Sequence, residues 1–371
     1  MLEKLTQQLA AAQPLDDEQV RRAVEQLADE KTSAQLKADF LIALAQKGET
    51  PEEIAAFARA LREKSIQPSI EDSWRESREI LDIVGTGGDR LGTFNISTTS
   101  AIIGAAAGVV VAKHGNRAVT SQAGSADVLE ALGIRIDLTP EAAVHSMREK
   151  NFAFFFAPNF HPAFKNISPA RKICAELGQR TIFNLLGPLL NPARPTAMLV
   201  GVPRPELCEP LAHVLQSLGV RRAMVVCGKI ESKVQSPKSK IGSADSSEKI
   251  GNRKSEIGNF LDELSALGEN TIAEFYQARG FTVSTTLPEQ FPLQPAMVAD
   301  LLGGDKMANA KIVREILSGK ERGPKRDAVL LNTAAALFVA GKTKSLGEGW
   351  DLAGETIDNG RANAKLAELK G

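Results

Sequence analysis

Over residues 1–65 apolar positions recur at helical spacing: Val20, Val24 and Leu27 share one face, and so do Leu36, Phe40 and Leu44. Thr50-Pro51-Glu52-Glu53 opens a further helix, since Thr50 can accept from first-turn amides and Pro51 has no amide to lose there. Residues 66–79 keep no period and read as a linker. From residue 80 the rhythm changes. Short apolar runs at 80–84, 109–112, 152–156, 198–202 and 223–227 have strand length, and helical stretches at 98–108, 127–132, 140–150 and 205–218 fall between them. Asp127 and Glu130 fit a capping box, with Gly133 as the helix stop. This alternation predicts an α/β fold: a small helical N-terminal domain, then a larger α/β domain over 80–371 with a largely parallel central sheet.

One stretch breaks the pattern. Residues 229–259 lack aromatics and are rich in Lys and Ser, a composition that buries too little apolar area to offset ordering entropy. They are expected to be a disordered surface insertion within the α/β domain.

Charge narrows the function classes. Lys plus Arg and Asp plus Glu each number 45, so nothing suggests a nucleic-acid or membrane-surface partner. The longest apolar run, 101–112, is too short to span a bilayer, and the first residues lack the apolar core of a signal peptide. Cys174, Cys208 and Cys227 stand far apart, as expected of reduced core thiols in a cytoplasmic protein.

Three loops carry candidate chemistry. In residues 82–98, DIVGTGGDRLGTFNIST, a predicted strand runs into Gly85-Thr86-Gly87-Gly88-Asp89 and a helix opens near Ser97 and Thr98. Glycine-rich backbone and a helix N-terminus can present amides to phosphate oxygens, and Asn95, Ser97 and Thr98 add side-chain donors. Neither G-K-[ST] nor G-x-G-x-x-G is present. By itself, the turn reads equally well as a structural one. The strand at 109–112 delivers Lys113-His114-Gly115-Asn116-Arg117, followed by Ser125. Ligands sit beyond the carboxyl ends of parallel strands, so Lys113 and Arg117 are candidates to neutralise pyrophosphate, while His114 reads as a structural histidine. Asp262-Glu263 reads either as the cap of a following helix or as a Mg²⁺ site, in which carboxylates share the ion with water and substrate phosphates.

D-I-V-G-T-G-G-D, T-F-N-I-S-T, K-H-G-N-R and G-S-A-D-V-L-E-A-L-G occur in this order, followed by R-T-I-F-N-L-L-G-P-L-L-N-P at 180–192, L-D-E-L-S at 261–265 and G-P-K-R-D-A-V-L-L-N at 323–332. Together they resemble the anthranilate phosphoribosyltransferase family over nearly the whole chain outside the insertion. The resemblance implies transfer of a 5-phosphoribosyl group from phosphoribosyl pyrophosphate to the amine of anthranilate, with release of pyrophosphate, in tryptophan biosynthesis. It also implies a Mg²⁺ requirement, a homodimer, and a helical domain that helices from about 165–190 join, with the cleft between the domains. Carried over by motif, Gly85, Thr86, Gly87, Gly88, Asp89, Thr93, Asn95, Ser97, Thr98, Lys113 and Ser125 contact phosphoribosyl pyrophosphate or its metal. Gly85, Asn116 and Arg171 correspond to anthranilate contacts, Ser97, Asp262 and Glu263 to metal positions, and Lys113, Gly85 and Ser97 to catalytic ones. Ala118 and Ala123 stand where the family often has serine, and Gln122 where it often has lysine. The stretch after Arg171 is longer than the common pattern.

Two rivals remain at this stage. A pyrimidine nucleoside phosphorylase would share the glycine-rich loop, and a non-catalytic nucleic-acid-binding relative would need a basic surface.

Overall fold

A computed structural model describes residues 1–118, 122–231, 260–277 and 280–370. Most of the expected insertion, residues 232–259, lies outside them.

Helices Leu2–Ala10, Asp17–Ala28, Ala34–Lys47 and Pro51–Glu63 form the N-terminal part. The Thr50 hydroxyl accepts from the Glu53 amide and the Glu53 carboxylate accepts from the Thr50 amide, closing a capping box. Glu53 can be buried because it also takes the Leu15 amide and the Lys47 ammonium. The apolar faces of these helices share one core with Ile167, Ala170, Cys174 and Leu186, from helices Phe164–Glu176 and Phe183–Leu189, and with one face of the sheet.

The strands are β1 (Ile80–Gly85), β2 (Val110–Gly115), β3 (Phe152–Phe156), β4 (Ala197–Gly201), β5 (Arg222–Lys229), β6 (Phe260–Leu261), β7 (Asn270–Tyr276) and β8 (Gly280–Thr286). Their order is β3-β2-β1-β4-β5-β7-β8, with β6 on the far end of β5. The pairs among β1 to β5 are parallel, whereas β6, β7 and β8 pair antiparallel. The apolar runs of β1 to β5 are those of strands covered on both faces. β8, at the edge, carries Thr and Ser at alternate positions and leaves no such signature.

The other sheet face packs on helices Ile96–Ala106, Ser125–Leu132, Lys306–Leu317, Pro324–Val339, Leu346–Asp358 and Arg361–Lys370. Two local expectations change. The helix expected at 127–132 starts at Ser125, and Asp127 reaches back to the Gly124 amide, while Glu130 binds Arg117 instead of completing a box. The stretch 205–218 opens with a 3₁₀ turn, Pro205–Leu207, before helix Cys208–Ser217. Among the described residues no helix is long and apolar enough to cross a membrane.

Candidate active site

The parallel strands end on one edge, and the ends of β1, β2, β4 and β5 supply glycine. Past β1, Gly87 and Gly88 adopt φ of 73° and 93°, a left-handed backbone that opens the turn. Gly85 and Gly201, paired in register on β1 and β4, are needed for a different reason. A Cβ on Gly85 would strike the Asp262 carboxylate, and one on Gly201 the Asp262 carbonyl oxygen. Gly228 on β5 likewise leaves room for Ser265. Strand ends without side chains therefore let the loop after β6 lie across the sheet edge.

That loop carries Asp262 and Glu263. No helix follows them, so the capping alternative falls away. The loop is clamped instead by two buried asparagines: Asn332 accepts the Leu264 amide and donates to its carbonyl, both at 2.9 Å. Asn270 does the same for Ser265, at 2.6 and 3.0 Å. Both carboxylates point at backbone donors of the first loop. Asp262 Oδ2 accepts the Gly87 amide at 2.7 Å, and Glu263 Oε1 accepts the Ser97 amide at 3.2 Å, at the start of helix Ile96–Ala106. The structure thus brings together loops 175 and 166 residues apart.

The electrostatics are crowded. Burial, then Asp89 and Glu263, push the Asp262 carboxyl well above the usual carboxylate range. Burial raises Glu263 to about 7, opposed by Lys113 and the Ser97 amide. Lys113 is 2 % exposed and its ammonium donates to the Ile83 carbonyl at 2.6 Å, with Ser97 Oγ 3.5 Å away. Burial lowers its pKa, against the pull of Asp82 and Glu263. Asp262 is crowded by the carboxylates of Asp89 and Glu263, an arrangement that a hard divalent cation would relieve, so Asp262, Glu263 and Ser97 fit such an ion.

The other sequence-derived residues divide. The Thr86 amide is used by the Gly201 carbonyl at 2.9 Å, and Asp89 takes the Leu91 amide at 3.2 Å. Thr93 bridges to Leu302. Asn95 is held on both sides, donating to Ala123 O and accepting from Asn309. Thr98 Oγ1 is buried without a protein partner. Ser125 lies against Gly115, its hydroxyl donating to Asn116 O at 3.4 Å. Gly88 is exposed, and so is Asn116, whose side chain accepts the Arg117 amide.

Arg117 is not free for pyrophosphate: its guanidinium binds Glu130 at 2.9 and 3.0 Å and Asp127 at 3.2 Å. Those carboxylates raise its pKa further. Arg171, by contrast, has no carboxylate partner among the described residues; it lies over the Phe183 ring at 5.2 Å, and burial lowers its pKa. A run of edge-on ring contacts links it to the sheet, from Phe183 through Phe164 and His161 to His114. His114 and His161 meet at 3.2 Å through their Nε2 atoms. Burial lowers their pKa to about 3 and about 4, so both are neutral near pH 7, in accord with a structural His114.

Sequence reasoning missed several residues. Asp82, buried within β1, and Asn191 sit beneath Lys113. Arg180 reaches the Gly88 carbonyl at 3.4 Å and brings a cation to the glycine loop. Its only signal was its place at the head of the R-T-I-F-N run.

Comparison with known proteins identifies the family and the fold. The chain matches the family model of the glycosyl transferase family helical bundle domain over residues 2–65 and that of the glycosyl transferase family a/b domain over 77–253 and 234–363. The anthranilate phosphoribosyltransferase of Petrotoga mobilis is 43 % identical over 363 residues, 98 % of this chain and 94 % of that protein. That of Lacticaseibacillus casei is 46 % identical over 90 % of this chain and 86 % of its own length. Among solved structures, the Thermus thermophilus anthranilate phosphoribosyltransferase superposes with a TM-score of 0.82 at 39 % identity, covering 99 % of this chain and 98 % of that one. The Saccharomyces cerevisiae enzyme, solved in complex with PRPP and Mg, does so at 0.80 and 26 % identity, covering 99 % and 96 %. The chain belongs to the anthranilate phosphoribosyltransferase family.

Proposed function

We propose that this chain joins the anthranilate amine to the ribose of phosphoribosyl pyrophosphate, with Mg²⁺ held at Asp262, Glu263 and Ser97 and with pyrophosphate leaving beside Lys113. One observation carries the residue assignment: Asp262 and Glu263 occupy the amides of Gly87 and Ser97. A glycine-rich turn and a helix N-terminus are seats for phosphate oxygens, and here carboxylates stand in for them. Bound Mg²⁺ would neutralise charge on the pyrophosphate. Asp262 and Glu263 would hold that cation, and carboxylates so engaged would leave the Gly87 and Ser97 amides to substrate phosphate oxygens. Lys113, already desolvated, then meets the charge that grows on the leaving group, where a low local dielectric strengthens its effect. The Saccharomyces cerevisiae complex with PRPP and Mg supports this reading.

The acceptor needs little from the protein. An aromatic amine is largely unprotonated near neutral pH, so positioning suffices and no strong base is required. Arg171 offers a planar guanidinium, unpaired with any carboxylate among the described residues, for the anthranilate carboxylate, and Asn116, exposed just past β2, is the second candidate contact. A homodimer completes the reading on the strength of the resemblance, and light scattering on a sizing column checks it. Three buried free thiols suit a reducing, cytoplasmic setting. Purified protein mixed with phosphoribosyl pyrophosphate, Mg²⁺ and anthranilate should extinguish anthranilate fluorescence, and a constant signal would sink the assignment.

A further inference from the structure

β1 and β2 separate before they reach the site. Their register holds only at Ile80↔Val110 and Leu81↔Val111, although β1 stays paired with β4 to Gly85↔Gly201 and β2 with β3 to Gly115↔Phe156. Beyond Leu81 the backbone groups that a parallel ladder would join must find other partners, because buried peptide groups left unpaired are costly. Side chains provide them. Asp82 Oδ1 accepts the His114 amide at 3.3 Å, and Asp82 Oδ2 accepts from Asn191 Nδ2 at 2.8 Å. Asn191 Nδ2 also donates to the Ala112 carbonyl at 2.7 Å, and its Oδ1 takes the Ala193 amide at 2.9 Å. Lys113 Nζ donates to the Ile83 carbonyl at 2.6 Å. Asp82 and Asn191 both have no exposed surface.

The bonds to Ala112 O and His114 N bracket Lys113 on the chain. They fix the backbone from which its side chain leaves, while the widened gap gives the ammonium its seat on Ile83 O beside Ser97. Two hydrogen bonds and the Lys113 charge offset part of the cost of burying this carboxylate, and its pKa stays raised to about 6.

We propose that Asp82 and Asn191 are positioning residues for the phosphoribosyl transfer: they hold β1 and β2 apart and set where the Lys113 ammonium stands against the leaving pyrophosphate. This rests on the reading that Lys113 acts on pyrophosphate. Neither residue touches substrate in this account, so both act through Lys113 alone, and that is what a test must separate from a loss of folding.

A double-mutant cycle does so, with the full chain, Mg²⁺ and both substrates. Asp82→Asn should lower kcat about tenfold or more and leave KM for both substrates within about threefold. In a Lys113→Met background the same substitution should cost no more than about twofold further, because the group it positions is gone. Losses that multiply in the double variant would overturn the proposal and leave Asp82 as a general stability residue. Lys113→Met with undiminished turnover would instead overturn the reading on which it rests. Should Asp82→Asn fail to fold, Asn191→Ser carries the same cycle, since it keeps the Asp82 carboxylate and removes the side-chain amide that braces Ala112 O and Asp82 Oδ2; losses that multiply there count against the proposal equally.

Discussion

At the residue scale, burial and pairing decide which cations are available for chemistry. Lys113 and Arg117 look equivalent in K-H-G-N-R, yet Lys113 is buried at the strand end and Arg117 is pinned outside by Glu130 and Asp127. Lys113→Met should therefore cost about 10²-fold in kcat, the scale of removing one preorganised charge-stabilising donor. Arg117→Ala should leave kcat within a few-fold, and comparable losses in steady-state turnover for the two variants would contradict this division. Arg171 is a separate case, since its ring partner Phe183 holds it without neutralising it. Arg171→Ala should raise KM for anthranilate about tenfold or more with little change in KM for phosphoribosyl pyrophosphate. An unchanged anthranilate KM would exclude it as the carboxylate partner. A sequence lists cations but not their neighbours, and Glu130 lies a helix away from Arg117.

At the scale of elements, the site is an edge of parallel strands covered by a loop from the antiparallel end of the sheet. The covering works only because Gly85, Gly201 and Gly228 leave room for residues 262–265. Gly201→Ala places a methyl group against rigid backbone, so the loop must move. Overpacking of this sort costs about 1–3 kcal/mol. The same displacement carries Asp262 off its position, so the Mg²⁺ concentration for half-maximal activity should rise several-fold. A denaturant melt and a Mg²⁺ titration check the two halves, and an unaltered titration would refute the coupling. Gly85 was legible as part of a glycine-rich turn and candidate phosphate loop, but its need for glycine comes from Asp262. The reason for Gly201 is wholly tertiary, because its neighbour lies sixty-one positions further along the chain.

For the whole molecule, the raised and lowered pKa values set how stability and metal binding respond to pH. Glu263, at about 7 against an ordinary 4.5, and Asp82, at about 6 against 3.8, hold protons more tightly folded than unfolded. Each costs stability as pH rises through the interval between its two values. His114 and His161, lowered to about 3 and about 4 from 6.5, act oppositely and cost stability as pH falls below 6.5. Mg²⁺ competes with the protons on Glu263 and Asp262, so the rise in melting temperature on adding Mg²⁺ should be larger at pH 8 than at pH 5.5. Equal shifts at both pH values, measured by scanning calorimetry, would remove these carboxylates from the metal site.

The five parallel strands and most of the helices through residue 227 could be read from the chain, because continuous apolar runs, helical spacing and caps such as Thr50–Glu53 are made by neighbours in sequence. The glycine loop was legible for the same reason: its conformation is local. β6 to β8 were not, since an exposed edge strand of Thr and Ser lacks an apolar signature. Helix Asp72–Glu76 lies within the expected linker, and helices Phe164–Glu176 and Phe183–Leu189 were implied only by the resemblance. That Asp262 and Glu263 meet the Gly87 and Ser97 amides became visible only in the fold. Asp82 and Asn191, 109 residues apart, carry no sequence signal of their partnership at all. Local pattern determined which elements form; the meeting of distant polar groups at the splayed strand ends was decided only by packing, where burial forces each such group to find its partner.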